Sequence, residues 1–140
     1  MQLGELLISL FVNLQALIKR EVNLGRASFP KIIALSIMPP DGLEMSVLAK
    51  KMGVDNSTAT RLIIGMEKAG WVKRESSLYD KRVNQVFLTK EGYSLQSNLE
   101  EQFELIGKVV EGSLSPADKL GISNAISSLN WVLLKLIADK

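Results

Sequence analysis

The chain contains no cysteine and no histidine. Without cysteine there are no disulfides, no thiolate nucleophile, no structural zinc held by thiolates and no redox sensing by a thiol. Without histidine the commonest general base and the commonest transition-metal ligand are both missing, so an enzyme made from this chain would have to work with carboxylates and lysines alone. Paired carboxylates at catalytic spacing, a Gly-rich phosphate loop and a nucleophile elbow are lacking too, and the expectation is a protein that is no enzyme and takes no metal and no cofactor. Internal repeats, linkers and low-complexity tracts are absent. The apolar stretch Leu3–Ile18 is interrupted by Asn13 and Gln15 and closed by Lys19-Arg20-Glu21, short of the roughly 20 apolar residues of a membrane span. Its start carries Glu5 and no base, and no small-residue cleavage site follows, so it reads as mature structure rather than a signal peptide. A cytoplasmic protein with no membrane partner is expected.

What is present is enough for one folded domain: 140 residues, 46% hydrophobic and 23% charged, a composition that excludes wholesale disorder. The net charge of +2 hides a strong asymmetry. From Lys50 to Lys90 there are nine bases against four acids, a net +5, which leaves −3 on the two flanks. A basic middle between acidic ends suits a domain that holds a polyanion centrally and uses its ends for something else.

Periodicity orders the elements. Leu3, Leu6, Leu7, Leu10, Phe11, Leu14, Leu17 and Ile18 recur at helical spacing, with Ile8 and Val12 adding a second apolar face, so a helix over Leu3–Leu24 wants burial on nearly all sides. Gly25 stops it. Ser28 caps a brief helix through Ile37, with Pro30 tolerated in its first turn, and Pro39-Pro40-Asp41-Gly42 forces a turn. Ser46–Met52 reads as a short helix with Val47, Leu48 and Met52 inward, ended by Gly53 in a left-handed conformation. Asp55 caps the next helix, through about Ala69, whose buried stripe is Ala59, Leu62, Ile63 and Met66 and whose stop is Gly70. Two helices joined by about three residues form a helix-turn-helix unit. The period then changes to alternation: Trp71–Arg74 and Val83–Leu88 read as two strands around the polar Glu75–Lys81, a hairpin with a loop too long for a two-residue turn. Thr89 caps a long helix to about Glu111, with a stripe of Leu95, Leu99, Phe103, Ile106 and Val110. Ser115-Pro116, with Asp118 at the positive helix end, starts a last helix to about Ala138.

The second helix of the helix-turn-helix unit is polar where it begins, and this is the chemistry a groove reader needs. A helix fits the major groove of duplex DNA, and its first turns reach base edges and flanking phosphates. Ser57, Thr58 and Thr60 offer short hydroxyls, Asn56 suits adenine, and Arg61 suits guanine or a phosphate.

Three stretches carry a more specific signal: Leu48-Ala49-Lys50-Lys51-Met52-Gly53-Val54-Asp55, then Ser57–Leu62 with Glu67-Lys68-Ala69-Gly70-Trp71-Val72-Lys73-Arg74, and Asp80-Lys81-Arg82 with Val86-Phe87-Leu88-Thr89-Lys90-Glu91-Gly92. In this order and spacing, over nearly the whole chain, the sequence resembles the MarR family of winged helix-turn-helix transcriptional regulators. The resemblance implies a mainly α fold with a small β-hairpin wing: residues 28–92 as a DNA-binding lobe, residues 1–27 and 93–140 as dimerisation helices, and a homodimeric repressor on a near-palindromic duplex operator with half-sites about one helical turn apart. Arg82 resembles the wing arginine that enters the adjacent minor groove, where a narrow A·T-rich tract concentrates negative potential. Asp80 fits the orienting of an arginine by a charge-assisted hydrogen bond, and Arg74, Ser76, Ser77 and Lys81 fit phosphate contacts. Pairing of the first helix with the last, through Leu120, Ala125, Ile126, Leu129, Val132, Leu133, Leu136 and Ile137, would bury faces a monomer leaves wet. A small aromatic effector between dimer helices and lobes is implied as well, with Trp71, Trp131 and the methionines as candidate lining. The sequence departs from the family pattern at Ile64 and Gly65, where an acid and a base are usual, and at Glu44, a poor cap where a threonine is common. The competing reading, a winged-helix module that recognises protein and never DNA, would call for an acidic or apolar recognition helix, and this one is neither.

Overall fold

The computed structural model describes residues 1–25, 27–76, 79–80 and 83–139. Six helices and three strands follow in order: α1 (Leu3–Glu21), α2 (Phe29–Ile37), β1 (Leu43–Glu44), α3 (Met45–Met52), α4 (Asn56–Lys68), β2 (Val72–Ser76), β3 (Asn84–Leu88), α5 (Lys90–Ser113) and α6 (Pro116–Ala138). The architecture is the expected winged helix-turn-helix, mainly α with a small antiparallel sheet.

Local signals set most boundaries. Ser115 accepts the Asp118 N–H at 3.2 Å to start α6, and Thr89 accepts the Gly92 N–H at 3.0 Å to start α5. Gly53 closes α3 at φ 71°, the left-handed region in which a side chain is strained. Two expectations are corrected. The first helix ends at Glu21 rather than Leu24, because the Gln102 amide of α5 takes the Asn23 N–H at 2.7 Å and donates to the Asn23 carbonyl at 2.8 Å, replacing the bonds another helical turn would make. Val47 is exposed. α3 begins one residue earlier than its sequence indicates and turns Met45, Leu48 and Ala49 inward at i, i+3 and i+4, with Met52 half-buried behind them.

The strand missing from the sequence reading is β1. It pairs antiparallel with β3, Leu43 opposite Val86 and Glu44 opposite Gln85, so the sheet has three strands in the order β1-β3-β2. β2 and β3 form the hairpin, in a register running from Val72 opposite Leu88 to Ser76 opposite Asn84.

The core lies in the lobe and the near half of α5: Ile32, Ala34, Leu35 and Met38 from α2 and its end, Met45, Leu48 and Ala49 of α3, then Ala59, Ile63 and Met66 of α4, Val72, Val86 and Leu88 of the sheet, and Leu99 of α5. Each fully buried large side chain contributes about 1.5–3 kcal/mol relative to exposure. Three long-range side-chain bonds tie α5 to the lobe beyond that packing. Gln96 donates to the carbonyls of Leu35 and Met38, and Tyr93 to that of Pro40. α1 and α6 have no buried residue among those described. Their apolar side chains, with those of the distal half of α5, stand in the open: Phe11 is 62% exposed, Val109 70% and Trp131 63%.

Candidate nucleic-acid interface

The helix expected to read DNA is α4, and its start is well determined. The Asp55 carboxylate accepts the Thr58 N–H at 2.7 Å, satisfying one of the donors that a helix N-terminus leaves open. That bond, helped by the Thr58 hydroxyl and by the charge of Arg61, holds the Asp55 carboxyl below its ordinary pKa. A carboxyl depressed on folding stabilises the protein above its unfolded value and loses that contribution as pH falls through the lowered one. The stability advantage of the parent over Asp55→Asn, followed by denaturant unfolding across the acid range, should therefore be constant near neutrality and shrink only at acid pH. A gap that stays the same down to the most acid point would show that charge has no part in the cap.

With the cap in place, the inward stripe of Ala59, Ile63 and Met66 leaves Ser57, Arg61 and Lys68 exposed on the opposite face. Asn56 and Thr60 lie on the flank toward the sheet, where they line a polar cleft of ≈ 280 Å³ with Glu44, Ser46 and Asn84. Thr58 is half-buried and committed to the cap. Of the residues expected to touch DNA, the structure thus brings Ser57 and Arg61 to the open face and Asn56 and Thr60 to its edge. Asn84, which closes the same cleft from β3, has no local sequence signal. Glu44 makes no side-chain cap bond to α3 and lies exposed.

The wing rises beside α4. Arg74 of β2, expected at a phosphate, is paired within the protein: its guanidinium grips Glu67 of α4 through Nη2 at 3.1 Å and Nε at 3.4 Å, both side chains being about a third exposed. The other ion pairs among the described residues stay within one element, so this one braces wing against helix. Lys73 pairs with Glu75 at 3.2 Å and stands over the Phe87 ring. Ser76 is exposed at the end of β2, and Asp80 is half-buried, its carbonyl accepting the Val83 N–H. Ser77, Lys81 and Arg82 lie outside the described residues.

Of the side chains expected to line an effector pocket, Met38, Met45 and Met66 are core residues of the lobe, Trp71 packs half-buried against that core, and Trp131 stands on the open face of α6. An apolar groove of ≈ 460 Å³ runs between α1 and α5, lined by Leu17, Leu105, Ile106 and Val109 with Arg20, Glu21 and Gln102 at its polar edge.

Set against known proteins, the MarR family profile matches residues 40–83, the stretch from the turn before β1 to the residue before β3. An uncharacterised HTH-type transcriptional regulator of Bacillus subtilis (strain 168), YfiV, is 34% identical over 107 residues, 76% of this chain and 67% of that protein. Among solved structures, a MarR transcriptional regulator from Methanosarcina mazei Go1 superposes with a TM-score of 0.80 at 21% identity, covering 95% of this chain and 96% of that one. Streptococcus pneumoniae FabT in complex with DNA gives 0.75 at 20% identity, with 95% and 96% covered. Streptomyces coelicolor PcaV in complex with its natural ligand gives 0.72 at 18% identity, with 93% and 92% covered. At these identities the structural likeness speaks for the fold.

Proposed function

This chain belongs to the MarR family of transcriptional regulators, and on that premise we propose that it acts as a homodimeric repressor, binding a near-palindromic duplex operator through α4 and the wing. The family is one of regulators, not enzymes. The observation that carries the DNA reading is the face of α4: a capped helix with Ser57, Arg61 and Lys68 outward, and no acid on that face. Arg61 forms no ion pair among the described residues, so its guanidinium is available for a guanine edge or a phosphate. In this reading Arg82, Lys81 and Ser77 meet the minor groove and phosphates from the wing tip, Asp80 orients Arg82, Asn56, Ser57 and Thr60 read or position from the helix start, and Arg74 holds the wing through Glu67.

Dimerisation accounts for the chain's most costly feature. α6 is long and apolar enough to cross a membrane by length and composition, yet it follows a DNA-reading lobe and shares its exposed apolar character with α1. Two copies pairing α1 with α6 would cover both, and would set two recognition helices about one turn of duplex apart. The protein then works in the cytoplasm, on the nucleoid. The groove between α1 and α5 suits a small aromatic acid, with an apolar body against Leu105 and Val109 and its carboxylate at Arg20.

Selection of bound sites from random duplexes, with and without small aromatic acids, tests DNA binding, symmetry and ligand response together. The expected product is a two-fold motif. Arg61→Ala should then weaken binding to the selected site by about 1–3 kcal/mol, roughly 5- to 150-fold, the loss of a good base or phosphate contact. Recovery of no enriched sequence, or an Arg61→Ala variant binding like the parent at moderate salt, would overturn the assignment.

A further inference from the structure

Gly65 leaves a notch in the flank of α4, and Lys31 of α2 packs over it. A β-carbon added at Gly65 would stand 3.3 Å from both Cε and Nζ of Lys31, so the ammonium lies in contact with the point from which a side chain of α4 would spring. Residues four and three apart on a helix are surface neighbours. The borrowed cation therefore sits one turn from Arg61 and one turn from Lys68, both exposed. None of the three forms an ion pair among the described residues.

Among the described residues no ion pair offsets this clustering of charge. Three like charges along one flank repel. Lys31 is also the third residue of α2, in a first turn that holds no acid, where the partial positive charge of the helix end disfavours a cation. The glycine that makes room for it weakens the interior of α4. Each cost is removed by a polyanion laid along that flank, because a strand of phosphates neutralises clustered cations and releases its own counterions.

We propose that Lys31 is a DNA phosphate-binding residue, delivered to the recognition helix from α2 through the notch at Gly65. It contributes affinity that does not depend on base sequence, on the side of α4 away from the wing. This rests on the DNA reading above.

The test is the salt dependence of binding to a duplex carrying the selected site, measured for the parent, Lys31→Gln and the double variant Lys31→Gln/Gly65→Lys, with thermal unfolding of each alongside. Loss of one phosphate contact should lower affinity several-fold at moderate salt and reduce the slope of log K against log salt by about 0.9, with the unfolding midpoint unchanged and the base preference intact. The double variant, whose cation springs from α4 itself, should recover both affinity and slope. Parental affinity and slope in Lys31→Gln would overturn the proposal, as would an affinity loss with the slope unaltered, which would mark Lys31 as a packing residue. If the parent itself prefers no duplex, the failure is that of the DNA reading and not of Lys31 alone.

Discussion

Leu133→Glu is expected to abolish operator binding without touching DNA. Leu133 belongs to the run Ile122, Ile126, Leu129, Leu133 and Leu136 on α6, spaced by fours and threes. No side chain in the described part of that helix is buried, so the run is left largely uncovered within the protomer. In a two-fold dimer each substitution occurs twice, and an acid placed in an apolar interface must be desolvated without a cation to pair it, a cost of several kcal/mol per site. The lobe core contains nothing from α6, so the variant should keep cooperative unfolding of the lobe while sedimenting as a single subunit. Each lobe would then bind alone, and affinity for the selected site should fall to the non-specific level, at least about 10³-fold. Leu133→Met, which keeps an apolar side chain of similar volume, should bind nearly as the parent. A Leu133→Glu protein that still sediments as a dimer, or one that binds the site tightly as a monomer, would remove the assembly from the account of function.

Gly92→Ala carries the largest expected loss of stability. Gly92 is in the first turn of α5 and is buried. A β-carbon there would stand 2.0 Å from the Trp71 carbonyl oxygen and 3.0 Å from its carbon, and both belong to backbone that cannot swing aside. That carbonyl also accepts the Thr89 N–H at 3.0 Å, while the Thr89 hydroxyl donates to the Gly70 carbonyl. The turn that ends α4 and starts the wing is thereby fastened to the start of α5. Ala is ordinarily the better helix former by about 1 kcal/mol, so propensity alone predicts stabilisation. The clash should win, because separating the two elements breaks these bonds and disturbs the packing of Val72 and Leu88 below them. A destabilisation of about 3 kcal/mol, seen as a drop of roughly 10 °C in Tm, is the expected result. An unchanged or raised Tm would mean that the two elements are less closely joined than the structure has them.

Prediction of α4 and its cap from sequence succeeded for local reasons. Asp55 is followed three residues later by the N–H it caps, Gly53 supplies the left-handed end of α3, and Ala59, Ile63 and Met66 repeat at helical spacing. Each signal acts within one or two turns and survives without knowledge of the rest of the chain. Val47 was misplaced because a short helix has two nearly equivalent apolar stripes, and pairing of Leu43 with Val86, 43 residues away in the chain, decides which one turns inward. Arg74 read as a loose cation of the wing for the same kind of reason. Its partner Glu67 lies on the preceding helix, and only the angle between α4 and β2 brings their side chains together.

The order of elements, their caps, the basic middle and the apolar outer helices were determined by the sequence alone, since helix and strand periods and end signals depend on neighbours within a few residues. Tertiary structure decided the third strand, the brace between Glu67 and Arg74, the amide clamp of Gln102 on Asn23 and the lysine of α2 in the notch of α4. Those contacts join residues far apart in the chain, and their strength depends on directions in space that no local pattern of residue types encodes.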